Sequence, residues 1–157
     1  MQTLNRRDTI AGLAAAIAIV GASTAQAQKK TPMPDAAKTT PLTDIEREII
    51  AATAECTAAG RVCLARCTDH LAAGMKNMER CQKAVMNMLS VTEAMADVAA
   101  YRTAGQAERR ALAKACAAFC ATCAKECEPH AAHHEECAAC KNACDRCAKA
   151  CEAYALA

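Results

Sequence analysis

The chain has no tryptophan, one phenylalanine and two tyrosines in 157 residues. An aromatic core is therefore excluded, and in a chain of single-domain length something else must fill the interior. An excess of either charge is also lacking. The formal net charge is +2 and no long basic run is available to follow a phosphate backbone, so nucleic acid is not an expected partner. No apolar segment reaches the roughly 20 residues that a bilayer crossing needs, so no membrane anchor is expected. No stretch alternates as a strand would, and no nucleophile stands paired with a base, which argues against an enzyme. Covalent haem is excluded because no Cys-x-x-Cys is followed by His.

The N-terminus is the first positive signal. Residues 1–27 read as a signal peptide: Arg6 and Arg7 in NRRDTI, an apolar run from Ile10 to Val20, and a small-residue cleavage site at Ala25, Gln26 and Ala27. The paired arginines resemble a twin-arginine leader, although Thr9 stands where such signals often carry Phe; an ordinary secretory signal is the alternative. The expectation is an exported, periplasmic protein. Residues 28–42, rich in Lys, Thr, Pro and Ala without periodicity, read as a flexible linker.

Residues 43–157 read as one all-α domain. Thr43 and Glu46 form a capping box, and Ile45, Ile49, Ala52 and Cys56 then recur at helical spacing, predicting a first helix to about His70. After a turn over 69–74, Met78, Cys81, Val85, Met88, Thr92 and Met95 repeat at threes and fours, predicting a second helix that ends near Thr103. Gly105 punctuates. The Ala-, Glu-, Lys- and Arg-dense segment from Ala107 predicts a third helix, stopped at Glu128 by Pro129. A fourth runs from about His133 to Tyr154. Four long helices joined by short turns predict an antiparallel up-down-up-down four-helix bundle.

Thirteen cysteines occupy the places in this pattern where Leu and Ile usually stand. They are Cys56, Cys63 and Cys67 on the first helix, Cys81 on the second, Cys116, Cys120, Cys123 and Cys127 on the third, and Cys137, Cys140, Cys144, Cys147 and Cys151 on the fourth. Their steps of three, four and seven place them on the inward seam, predicting a cysteine-lined core. One or two buried cysteines would be plain small hydrophobes; thirteen in phase call for another explanation. Disulfides are disfavoured within a helix, where Cβ atoms three or four residues apart are about 5 to 6 Å from each other and a disulfide wants about 3.8 Å. Interhelical disulfides stay open. Iron-sulfur motifs usually lie on loops around a cluster, whereas these cysteines lie mid-helix. Zinc sites close on four ligands, into which a column of thirteen does not divide.

Cu(I) fits this pattern better, with a thiol-based redox or iron-sulfur carrier and a disulfide-stabilised structural protein as the alternatives. It is soft, takes two or three thiolates and allows one sulfur to bridge two ions. With a Cu–S bond of roughly 2.2 Å, an in-line pair of sulfurs is about 4.4 Å apart, within reach of Cys at i and i+4. Five such pairs are Cys63/Cys67, Cys116/Cys120, Cys123/Cys127, Cys140/Cys144 and Cys147/Cys151. The bundle ends should differ. His70, Met75 and Met78 gather with His130, His133 and His134 at one end as a port of weaker copper ligands, His133 being placed on the core face four residues before Cys137. The alternatives there are carbonyl capping by the histidines and packing by the methionines, and Met88 and Met95 read as packing. Ile45, Ile49, Val98, Tyr101, Leu112, Tyr154 and Leu156 are expected to plug the opposite end.

The series CAAFCATCAKEC and CAACKNACDRC followed by Cys151, with Cys56, Cys63, Cys67 and Cys81, resembles the four-helix-bundle copper storage proteins, and among them the exported kind of methane-oxidising bacteria. The resemblance covers the chain from about Pro41 to its end. It implies a homotetramer of bundles, each holding about as many Cu(I) ions as it has cysteines. It also implies loading through the His/Met end and supply to copper enzymes such as methane monooxygenase.

Overall fold

A computed structural model describes residues 40–157; residues 1–39, with the expected leader and most of the linker, lie outside the described residues. Thr43 opens the first helix as its sequence predicts. Its hydroxyl accepts from Glu46 N at 3.2 Å, and Glu46 Oε2 accepts from Thr43 N at 2.8 Å, so two of the donors that a helix start leaves unpaired are satisfied reciprocally. Helix α1 then runs over Asp44–Ala72. The chain turns at Gly74, whose φ of +84° is one that residues with a Cβ rarely adopt. A single 3-10 turn over Lys76–Met78 leads into α2, Glu79–Tyr101. Helix α3 spans Gln106–Ala131 and α4 spans Glu135–Leu156.

Each helix packs on its neighbours in chain order, and α1 closes the ring against α4. Short connections make successive helices antiparallel, so residues 40–157 form the expected up-down-up-down four-helix bundle. Ion pairs join adjacent helices on the outside. Arg61 pairs with Glu93 at 2.8 Å, Arg66 with Glu136 at 2.5 Å, Arg80 with Glu126 at 3.2 Å, and Arg146 with Glu55. Exposed pairs of this kind contribute only about 0 to 1 kcal/mol each. No helix among the described residues is long and apolar enough to cross a membrane.

Three local expectations are corrected. Helix α3 does not stop before Pro129 but continues through it to Ala131. Pro129 sits in the last turn, where its missing N–H removes one hydrogen bond and few further ones depend on it. The fourth helix begins at Glu135 rather than His133, with His134 as its N-cap, its carbonyl accepting from Cys137 N and Ala138 N at 3.1 Å. The apolar plug is smaller than expected. Ile49 and Tyr154 are buried, but Ile45, Tyr101 and Leu156 are exposed, Leu156 at 83%. On α2 the buried register is Thr92, Met95 and Ala99, which turns Tyr101 outward.

Arg102 ties this end together: from a left-handed φ of 55° after α2, its Nε reaches Glu46 at 3.1 Å and its Nη1 donates to Thr40 O at 2.7 Å. Thr43→Ala removes the cap and is expected to lower stability by about 1 kcal/mol, seen as a lower melting temperature in thermal denaturation followed by circular dichroism.

Candidate metal centre

All thirteen cysteines are fully buried, each with no exposed surface, and all are free thiols. They form one column because a step of three, four or seven residues returns a helical side chain to the same face, and all four helices turn that face to the axis. The sulfurs stand at contact distance. Sγ separations are 3.5 Å for Cys81–Cys127, 3.8 Å for Cys63–Cys137 and Cys123–Cys140, 3.9 Å for Cys63–Cys127 and 4.0 Å for Cys63–Cys81.

Five trios have their three sulfurs within 4.8 Å of one another: Cys63/Cys67/Cys81, Cys63/Cys127/Cys140, Cys123/Cys140/Cys144, Cys56/Cys120/Cys147 and Cys116/Cys147/Cys151. Three of the pairs expected on single helices, Cys63/Cys67, Cys140/Cys144 and Cys147/Cys151, lie inside trios whose third sulfur comes from another helix. The other two expected pairs are split: Cys116 and Cys120, like Cys123 and Cys127, fall in different trios. Cys63, Cys140 and Cys147 each belong to two trios, which links neighbouring sites along the column.

Protons are unevenly held in the column. Cys81, Cys140 and Cys147 lie below the ordinary thiol range because neighbouring S–H groups donate to them, led by Cys127, Cys123 and Cys116 respectively. Cys63 and Cys144 lie above it, held up chiefly by their hydrogen bonds with Cys127 and Cys120. Burial pushes the Cys137 thiol up to about 11, the charge on Cys81 adding to the effect.

At the end formed by the α1–α2 and α3–α4 turns, the His70 and His134 rings meet edge to face with centroids 4.6 Å apart. His70 Nδ1 is buried without a hydrogen-bond partner. Burial holds His134 below the usual histidine range, with the neighbouring His70 charge second, so the neutral imidazole that can ligate metal is favoured. Met78 is fully buried and Met75 is 43% exposed. His130 is half-buried, whereas His133 is exposed. His133 precedes α4, so helical register does not carry it to the core face, and His134 takes the inward position. One sulfur stands beyond the cysteine series: Met88 Sδ lies 3.4 Å from Cys56 Sγ. The sequence signal for it is its place seven residues after Cys81 on the same face.

A sequence profile described as copper storage protein matches residues 43–156. The chain belongs to the copper storage protein family. The family's fold is matched as well. A cytosolic copper storage protein from Streptomyces lividans, in a structure with five coppers, aligns with a TM-score of 0.66 at 28% identity over 72% of this chain and 93% of its own. The Streptomyces lividans copper storage protein loaded with 10 copper equivalents aligns with a TM-score of 0.67 at 27% identity over 75% and 93%. No curated protein sequence matches the chain.

These relatives correct one expectation drawn from residues 1–27. Export to the periplasm conflicts with the Streptomyces lividans protein, which is described as cytosolic, and the residues that suggested export lie outside the described structure. The match supports copper storage by the cysteines of the bundle.

The raised Cys137 thiol generates a prediction for the copper-free, reduced protein. A thiol whose pKa rises on folding contributes stability that is present below its unfolded pKa, about 9, and lost as pH rises through about 11. Thermal melts across that window under reductant are expected to show a steeper fall for the native chain than for Cys137→Ala.

Proposed function

We propose that the bundle over residues 43–157 stores copper as Cu(I), about one ion per cysteine, and is not an enzyme. The single observation carrying this reading is the sulfur spacing. With Cu–S bonds of roughly 2.2 Å, three sulfurs around one ion lie about 3.8 Å apart. The separations of 3.5 to 4.0 Å between helices bracket that value. Cu(II) prefers tetragonal nitrogen and oxygen ligands, while thiolates select Cu(I). Zinc would need a fourth ligand at each trio. Thiolates shared between trios favour a continuous copper array over separate sites, and each bound Cu(I) offsets charge that would be costly to bury bare.

All thirteen cysteines serve as ligands in this reading, with His70, Met75 and Met78 forming weaker sites where ions enter. The His70 and His134 rings meeting at this end, with His70 Nδ1 unpartnered, support that direction of loading. The proposal extends to a homotetramer and to release toward copper enzymes, methane monooxygenase being the recipient that the sequence resemblance implies. Light scattering would measure the first, and transfer of copper to the copper-free enzyme the second.

The deciding experiment is an anaerobic Cu(I) titration of the reduced protein against a chromophoric chelator. About 13 equivalents are expected to be held, as many as there are cysteines; uptake of only one or two would sink storage. Because thiols must lose protons to bind, acidification is expected to pass copper to the chelator. Stopped-flow loading of His70→Ala is expected to be slower than that of the native chain, with the final stoichiometry changed by about one ion at most.

A further inference from the structure

Helix α2 contributes one cysteine to the column, Cys81; beyond it the core positions pass to Val85, Met88, Thr92 and Met95. Around Met88 the wall opposite α2 is sulfur, because Cys56 and Cys144 stand 3.6 Å apart. Met88 Sδ completes the lining. It is fully buried and lies 3.4 Å from Cys56 Sγ, a spacing like those within the thiol column.

Two neighbours set the thioether in place. Gly60 faces it from α1, and a Cβ there would stand 2.6 Å from the Met88 methyl carbon. The missing side chain is what lets that methyl seat against α1 while the sulfur meets Cys56. Thr92 Oγ1 is 3.7 Å from Sδ, but the carbonyl oxygens of Met88 and Leu89 accept its single proton at 3.1 Å. The sulfur accepts from the Cys56 thiol, and that proton is the one a bound metal ion would displace. Methionine used only as filler has no need to bring sulfur against sulfur.

We infer that Met88 Sδ is a copper ligand, joining Cys56 and Cys144 around one Cu(I) as a thioether-dithiolate site. The inference rests on the Cu(I) storage reading. When the ion binds, Cys56 and Cys144 each release a proton to solvent, and Met88 has none to lose. The site then carries one net negative charge where three thiolates would carry two, which lowers the cost of burial in the middle of the bundle. It gives up some of the attraction that a third thiolate would supply.

The test uses the full-length reduced protein labelled with methyl-13C methionine, titrated anaerobically with Cu(I) and followed by NMR and near-ultraviolet thiolate-to-copper absorbance. Met88→Leu assigns the Met88 methyl, and Met95, equally buried on the same helix, is the reference. The Met88 methyl resonance is expected to shift on loading while that of Met95 stays. Met88→Leu keeps roughly the same volume and is expected to fold normally, and to retain about one Cu(I) fewer against the chelator. An unmoved Met88 methyl in protein whose absorbance shows loaded thiolates would overturn the inference and leave storage standing. So would full retention of copper by Met88→Leu. Absence of the absorbance altogether would overturn storage itself.

Discussion

Everything in this bundle depends on sulfur occupying the axis at contact distance. Cysteine is small and weakly polar, so a seam of it can be dehydrated like an aliphatic seam while its sulfurs remain ligands for a soft metal. Alanine fills much of what remains of the core. Small side chains let four helices approach closely enough for sulfurs from different helices to meet at 3.5 to 4.0 Å. Larger side chains on the seam would hold the helices apart and leave only pairs along each one.

The same constraint explains why the two ends differ. A column of buried thiols must be shielded from water at both ends, and the two ends do so with different side chains. The turns at one end bring His70 against His134, and Met78 is buried in the 3-10 turn that follows α1. The other end is closed by Ile49, Thr53, Met95 and Tyr154, and by the Arg102 bridge to Glu46 and Thr40. Thr53 returns its hydroxyl to Ile49 O at 2.7 Å, so this buried polar group costs little. Thr92, also fully buried, likewise returns its hydroxyl to the carbonyls of Met88 and Leu89 at 3.1 Å, while the ion pairs between helices lie at the surface and add little free energy.

Features governed by nearest neighbours were legible in advance. The Thr43/Glu46 capping box depends on residues within one turn, and it forms as read. The inward phase of the cysteines followed from helical period alone. Readings failed where a local rule met a boundary. Pro129 was read as a stop, but in a final turn its missing donor removes too little to end α3. His133 was placed on the core face by counting back from Cys137, yet α4 starts at Glu135, so the count ran past the helix. Export was read from residues 1–27, and relatives described as cytosolic overturned it.

The sequence by itself determined the helices, their number, the seam of thirteen sulfurs and the family, because period and residue type are carried along the chain. Only the tertiary structure decided which sulfurs share a site. Trios such as Cys63/Cys127/Cys140 join residues from three helices, and that grouping depends on helix rotation and axial stagger, which no single helix encodes. The same rotation brought Met88 to Cys56, a meeting between residues 32 positions apart in the chain.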